Sequence, residues 1–141
     1  MHFSWLGGTS LRLQTKHSEK DITIIIDPYK YSQGVCARSL APSIALFTRG
    51  EEDSITLSGN PFILSTAGEC DVQGVLIYAV EGHAPNTTML RIDAEGMSIG
   101  HLGQTKEPPT QKQLEVLGGV DILCIGVGGP DAGHFYAHEA I

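Results

Sequence analysis

The sequence predicts one α/β domain over residues 1–141, in which short strands dominate and one helix is clearly marked. Three observations support this fold class. Short β-branched runs such as Thr23–Ile26 alternate with turn residues, which is the pattern of strands. The 17 glycines can supply the tight turns that strand-rich folds need. A length of 141 residues is enough for one domain with a well-formed core.

The strands are predicted, in chain order, from apolar runs and the turns between them. A hairpin begins the chain, because two strand-like segments flank the turn at Gly7–Ser10. The residues Asp93–Gly96 join two later strands in a second hairpin. The strands of that second hairpin are Thr88–Ile92 and Met97–Gly100. The other predicted strands are Thr23–Ile26, Ile44–Phe47, Phe62–Leu64, Val75–Val80 and Asp121–Val127.

One helix is predicted to begin after Thr110. Thr110 and Gln113 have the spacing of a capping box, in which the hydroxyl accepts from a helical N–H and the glutamine reaches back. Leu114 and Leu117 lie three residues apart and are expected to share one face. Gly118–Gly119 then ends the helix.

A last helix is predicted to begin near Asp131 or Ala132. On it, His134 and His138 would share a face, with Glu139 beside them. That spacing can bind a metal ion, but the glutamate between the histidines of an H-E-x-x-H motif is absent. A terminal helix without a metal is therefore the favoured interpretation.

Composition and charge argue against several classes of function. The net charge is −7 and no basic run occurs, which argues against nucleic acid as the partner. No apolar run reaches the roughly 18 residues needed to span a bilayer, and no secretory signal is evident, so a cytoplasmic protein is expected. Cys36, Cys70 and Cys124 lie too far apart for a C-x-x-C pair and are expected to be reduced thiols, with Cys124 buried.

The most informative segment is Phe47–Ser54, where an apolar run ends in a strongly polar loop. The segments that flank it in order are Trp5–Ser10, Ile24–Pro28, Gly59–Phe62, Gly68–Cys70, Ala79–His83 and His101–Gln104. This order and spacing resemble the metallo-β-lactamase-fold hydrolases, especially the subgroup similar to bacterial sugar-lactone hydrolases. Gly68–Cys70 resembles the Gly-Glu-Tyr turn of that subgroup. The resemblance implies a four-layer α/β/β/α sandwich with metals at one edge between its sheets, here lacking the last strand and helix region.

The resemblance also implies a metal-binding loop that reads Thr-His-x-His-x-Asp-His. Arg49, Glu51 and Ser54 stand where its three histidines would be, and Asp53 stands at its aspartate. Arginine is a permanent cation and serine is a weak neutral ligand, so both oppose zinc binding. Asp53 is therefore a vestige of the catalytic loop.

Two further positions complete the comparison. His83 stands where the resemblance places the next histidine ligand, whereas Gln104 replaces an aspartate that would bridge two metals. A neutral amide cannot supply that negative charge, and the last histidine ligand would fall beyond the end of the chain.

A metal site rebuilt from oxygen ligands is the competing interpretation. Glu51, Glu52, Asp53 and His83 could hold a harder cation such as Mg²⁺ or Mn²⁺. The favoured interpretation is a solvated acidic loop in which Arg49 pairs with Glu51 or Glu52.

We therefore expect a catalytically inactive binding or assembly module that needs no cofactor. The alternative is a divergent metal-dependent hydrolase of the lactone or phosphoester class, with a rearranged or intersubunit site. Asp53, His83 and Glu51 would then bind zinc or manganese. An open strand edge beside Ile122–Ile125 predicts a homodimer or larger assembly.

Overall fold

The computed structural model describes residues 1–30 and 39–140, which form two five-stranded sheets and one α-helix. The strands are β1 (His2–Gly7), β2 (Ser10–His17), β3 (Lys20–Ile26), β4 (Ser39–Leu40), β5 (Ile44–Leu46), β6 (Thr56–Leu57), β7 (Phe62–Leu64), β8 (Gly68–Val72), β9 (Val75–Glu81), β10 (Thr88–Ala94), β11 (Met97–His101) and β12 (Ile122–Cys124), and the helix is α1 (Gln111–Leu117). Both predicted hairpins are confirmed, as β1–β2 and β10–β11.

The two sheets have mixed topology. The first has the order β1-β2-β3-β5-β7, and its strands β3, β5 and β7 run parallel. The second has the order β12-β11-β10-β9-β8, in which only β12 pairs in parallel with its neighbour. A small two-stranded sheet joins β4 to β6. Parallel pairing matters for the site, because β3 and β5 end at the same edge of the first sheet.

The main core lies between the sheets. Alternate residues of each strand face it, as the twofold period of a strand requires. Its members from the first sheet are Leu11, Leu13, Ile22, Ile24, Ile26, Ile44 and Leu46, and those from the second are Val75, Ile77, Ala79, Leu90, Ile92, Ala94 and Ile99. Burying β-branched side chains on both sheets is the main reason that these segments form strands and pack face to face.

Helix α1 covers the outer face of the second sheet. The predicted capping box is present, since Thr110 accepts from the Gln113 N–H and Gln113 bonds back to the Thr110 N–H. Leu114 and Leu117 both lie on this helix, but only Leu117 is buried, whereas Leu114 is exposed. Gln113 takes the buried place instead, because its side chain donates to the Glu81 carbonyl oxygen over 2.9 Å.

Three sequence-based boundaries need correction. The turn expected at Gly68–Cys70 is part of strand β8, which pairs antiparallel with β9. The strand predicted over Asp121–Val127 covers only Ile122–Cys124. The last helix is a single 3₁₀ turn, Pro130–Ala132, followed by irregular chain. In the part of the chain that the structure describes, no helix is long and apolar enough to cross a membrane.

Candidate functional site

The candidate site lies where β3 and β5 end side by side. Asp27 follows β3 directly, and Thr48 and Arg49 follow β5 after Phe47. The turn between β1 and β2 brings Thr9 to the same place, and β11 ends there at His101. We call Thr9, Asp27, Thr48, Arg49 and His101 the corner cluster.

Asp27 is the fully buried centre of this cluster. One carboxylate oxygen accepts from the Thr48 backbone N–H (2.7 Å), and the other accepts from the Thr48 hydroxyl (2.6 Å). The backbone φ of Asp27 is +50°, a conformation that aspartate tolerates better than most residues do. A buried carboxylate needs this degree of hydrogen bonding to offset its lost hydration.

Arg49 is the cation beside that carboxylate. Its Nη1 lies 3.8 Å from the Asp27 carboxylate and 3.2 Å from the Thr9 hydroxyl. Its guanidinium carbon lies 4.6 Å from the centre of the Tyr29 ring, a cation–π distance. The Arg49 backbone N–H also donates to the Tyr29 hydroxyl oxygen (2.8 Å). These contacts fix the arginine on one side while 28% of its side chain stays exposed.

The expected pairing of Arg49 with Glu51 or Glu52 is therefore wrong. Asp27 is closer because β3 and β5 are parallel neighbours, whereas Glu51 points to the surface and accepts from the Ser65 hydroxyl (2.7 Å). Sequence reasoning treated Asp27 only as the end of a strand. The sequence carries one indication of a site role for Asp27. It directly follows a fully buried run, and the carboxyl ends of parallel strands meet at one edge of a sheet.

His101 closes the cluster from the second sheet. Its Nδ1 accepts from the Gly103 N–H (3.0 Å), so Nε2 carries the proton and donates to the Thr9 carbonyl oxygen (2.9 Å). Burial lowers the pKa of His101 below its ordinary value, and the charge of Arg49 acts in the same direction, against the opposing influence of Asp27 and the Thr9 bond. The imidazole is thus held neutral within the corner cluster.

A cavity of about 820 Å³ opens beside Arg49. Its walls include Glu51, Glu52 and His83, three of the four residues of the oxygen-rich interpretation. Within residues 1–30 and 39–140, however, no three His, Cys, Asp or Glu side chains converge as a metal-binding group. The His83 Nδ1 instead lies 3.2 Å from the Glu107 carboxylate.

Asp53 lies apart from the others. It is exposed and is not among the residues that line the cavity. The Asp53 backbone carbonyl accepts from the Lys30 N–H over 2.8 Å. This contact is made by the main chain of Asp53 rather than by its carboxylate.

The other substituted positions make local hydrogen bonds. The Ser54 hydroxyl donates to the Ile55 carbonyl oxygen (2.8 Å). The Gln104 side-chain amide donates to the Ala132 carbonyl oxygen (2.8 Å), which ties the segment after β11 to the C-terminal turn. The Gln104 side chain is neutral, so it cannot supply the negative charge of the aspartate that the resemblance places there.

The C-terminal histidines do not share a helical face. His138 stacks on Tyr136 with ring centres 5.6 Å apart, whereas His134 is half-buried. Burial lowers the pKa of His134, and the charge of Arg49 lowers it further. The C-terminal turn therefore comes back toward Arg49, a proximity that the helical prediction missed.

The described thiols show no sign of a nucleophilic role. Burial raises the pKa of Cys124 to about 11, so the group stays a thiol at neutral pH. The pKa of Cys70 is also raised, by burial and then by the charge of Asp71. Both cysteines are free, as expected, and Cys36 lies outside the described residues.

The family follows from a match over nearly the whole chain. A family model described as the beta-lactamase superfamily domain matches residues 2–141. The chain belongs to the metallo-β-lactamase superfamily. The predicted α/β fold class is thereby confirmed, with two packed mixed sheets and few helices.

One solved structure of a superfamily member is similar over most of the chain. It is a protein from Thermotoga maritima, provisionally described as a Zn-dependent hydrolase of the metallo-β-lactamase superfamily. The TM-score is 0.72 at 23% sequence identity, over 90% of this chain and 61% of that chain. At this identity the likeness shows the fold alone, and this chain spans about three fifths of that protein's length. No curated protein matches the sequence.

Proposed function

We propose that this superfamily member no longer holds zinc and acts as a binding or assembly module rather than as a hydrolase. The observation that carries the proposal is the state of Arg49. It stands where the resemblance to the sugar-lactone-hydrolase-like subgroup places a zinc-binding histidine, and its guanidinium is held by Asp27, Thr9 and Tyr29. A fixed cation at that position repels a metal ion.

The remaining donors do not fit zinc either. Catalytic zinc needs about three nitrogen, sulfur or carboxylate ligands and one open position. Ser54 offers a neutral hydroxyl and Gln104 a neutral amide, neither of which is among the ligand types that zinc prefers. Asp53 and His83, the two kept ligand types, have separate surroundings. This donor chemistry supports loss of the metal.

The cavity beside Arg49 is the binding site in this proposal. Its volume of about 820 Å³ suits a small molecule. A cation, Arg49, and the carboxylates of Glu51, Glu52 and Glu81 all border it. We therefore expect a small polar ligand that carries charge rather than an apolar one. The cytoplasmic location inferred from the sequence stays a prediction.

Elemental analysis and activity assays test this proposal together. The purified chain is expected to contain far less than one zinc, manganese or iron per molecule, and to hydrolyse neither lactones nor phosphodiesters. A stoichiometric metal that is lost in Glu51→Ala or His83→Ala would overturn it. Glu69→Ala is the matched control, because Glu69 is an exposed carboxylate on β8 away from the cavity.

A divergent hydrolase is the second candidate. It is favoured by one observation, that Glu51, Glu52 and His83 border the same cavity. Carboxylate oxygens suit Mn²⁺ or Mg²⁺ better than zinc, and another chain could complete the set. This candidate predicts lactone or phosphoester hydrolysis that depends on added manganese or zinc and disappears in Glu51→Ala, whereas Glu69→Ala keeps it.

A further inference from the structure

The walls of the cavity beside Arg49 carry charges of both signs. They come from the segments that connect β5 to β6, β7 to β8 and β9 to β10. The first segment contributes Arg49, Glu51 and Glu52, and the third begins at Glu81, the last residue of β9. Apart from His83, these four are the titratable side chains among the described residues of the walls.

Arg49 is a positioned cation that retains hydrogen-bond donors. Among the described residues, its side chain hydrogen-bonds only to Thr9, through Nη1. Asp27 lies near that same nitrogen, and the guanidinium carbon lies over the Tyr29 ring. The other N–H groups of the guanidinium can therefore donate to a ligand. A carboxylate matches them best, because its two oxygens fit the planar fork of an arginine.

The carboxylates of the walls set a second requirement on the ligand. Glu51, Glu52 and Glu81 are exposed, and none of them has an ion-pair partner in the part of the chain that the structure describes. Asp27 already opposes the charge of Arg49. The walls as a whole therefore repel a simple anion, so a ligand carboxylate needs a positive group beside it.

The two signs of charge lie close together in the first segment. Glu51 is only two positions after Arg49, so their Cα atoms are at most about 7 Å apart. Glu52 follows directly. A ligand that pairs with both signs here needs its own two charges on a short chain.

We propose that this cavity binds a small zwitterion of the amino-acid class. The ligand carboxylate pairs with Arg49, and its ammonium group lies among Glu51, Glu52 and Glu81. The inference rests on the proposed function, because it assigns a ligand class to the cavity that the proposed function names as the binding site. A ligand with only one of the two charges leaves either the arginine or the carboxylates without a partner.

Amide NMR spectra recorded during ligand titrations test this assignment. The probes are β-alanine, propionate and propylamine, compared at equal pH and ionic strength. β-Alanine carries both charges on a short chain, whereas each of the others carries one of them on a chain of the same length. We expect β-alanine to shift the amide signals of the three wall segments in a saturable way. It should bind about tenfold more tightly than either single-charge probe.

Variants of the walls assign the two halves of the ligand. The double variant Glu52→Gln, Glu81→Gln removes two exposed carboxylates and should weaken β-alanine binding about tenfold. Glu69→Gln is the matched control, because Glu69 is an exposed carboxylate that does not line the cavity, and it should leave binding unchanged. Arg49→Lys keeps the charge but loses the planar fork, so it should weaken the binding of β-alanine and not that of propylamine.

Three results would overturn the inference. The first is the absence of any saturable shift with β-alanine, and the second is propionate or propylamine binding as tightly as β-alanine. The third is equal weakening in Glu69→Gln and in the double variant, which would be an effect of overall charge. Metal content separates the two proposals. A metal-free protein that binds no β-alanine contradicts the ligand class alone, whereas a stoichiometric metal contradicts the proposed function.

Discussion

Two neighbouring parts of the candidate site are built in opposite ways. In the corner cluster, the polar atoms of Asp27, Arg49 and His101 contact one another or neighbouring residues, and part of Arg49 alone among the three stays exposed. A few residues later, Glu51 and Glu52 face the surface and the cavity. Arg49 and the two glutamates belong to one segment that resembles a metal-binding motif. In that segment Arg49 has a structural role, whereas substitutions of Glu51 and Glu52 should change the free energy of unfolding little.

The largest expected effect is the loss of the buried carboxylate. Asp27→Ala removes the acceptor of both Thr48 bonds and leaves Arg49 without its carboxylate. It also places alanine at a φ of +50°. We expect the free energy of unfolding to fall by about 3–5 kcal/mol, as for other broken buried pairs. Urea unfolding measures this change.

Asp53→Ala is the comparison for that experiment. Asp53 is exposed, so its removal should change the free energy of unfolding by no more than about 0.5 kcal/mol. Equal losses in Asp27→Ala and Asp53→Ala would contradict the distinction between a structural cluster and a solvated loop.

A smaller effect is expected from pH, through His101. Its pKa is lowered in the folded state, so the unfolded chain binds the proton more readily. The stability that neutral His101 contributes is present above its unfolded pKa of 6.5 and decreases as pH falls from there toward the lower folded value. Unfolding free energies between about pH 7.5 and about pH 5 should therefore decline more steeply in the wild type than in His101→Gln.

His134→Gln provides a graded comparison. Its pKa is lowered in the same direction, but the residue is only half-buried, so the change in slope should be smaller than for His101→Gln. In His101→Gln, the new side chain can still donate to the Thr9 carbonyl oxygen, which preserves one of the two hydrogen bonds that His101 makes. An unchanged slope in His101→Gln would show that the imidazole is not held neutral by its surroundings.

The fold was largely predictable because its information is local. Apolar runs such as Thr23–Ile26 and Ile44–Phe47 are long enough to define strands, and the capping box of α1 is encoded within four residues. The sequence-based predictions fail where contacts between distant parts of the chain determine the local structure. The burial of Gln113 depends on its bond to the Glu81 carbonyl oxygen, and Gly68–Cys70 becomes a strand only by pairing with β9.

The candidate site was predictable in location but not in its bonding. The resemblance drew attention to Arg49 and to the acidic positions beside it. The partners of Arg49 come from residues that lie 22 and 40 positions earlier, Asp27 and Thr9. Only the parallel pairing of β3 with β5 and the packing of the β1–β2 turn bring them together. His134 was assigned to a helix, so its return toward Arg49 could not be foreseen.

The most direct test of the central claim is a zinc titration followed by thermal unfolding. The wild type is compared with the triple variant Arg49→His, Glu51→His and Ser54→His, which places a histidine at each position where the resemblance implies one. We predict that zinc raises the unfolding temperature of the triple variant, because a metal that binds only the folded state stabilises it. Zinc should leave the wild type unchanged. A wild type that zinc stabilises as strongly as the triple variant would contradict the account that Arg49 has replaced a metal ligand with a structural cation.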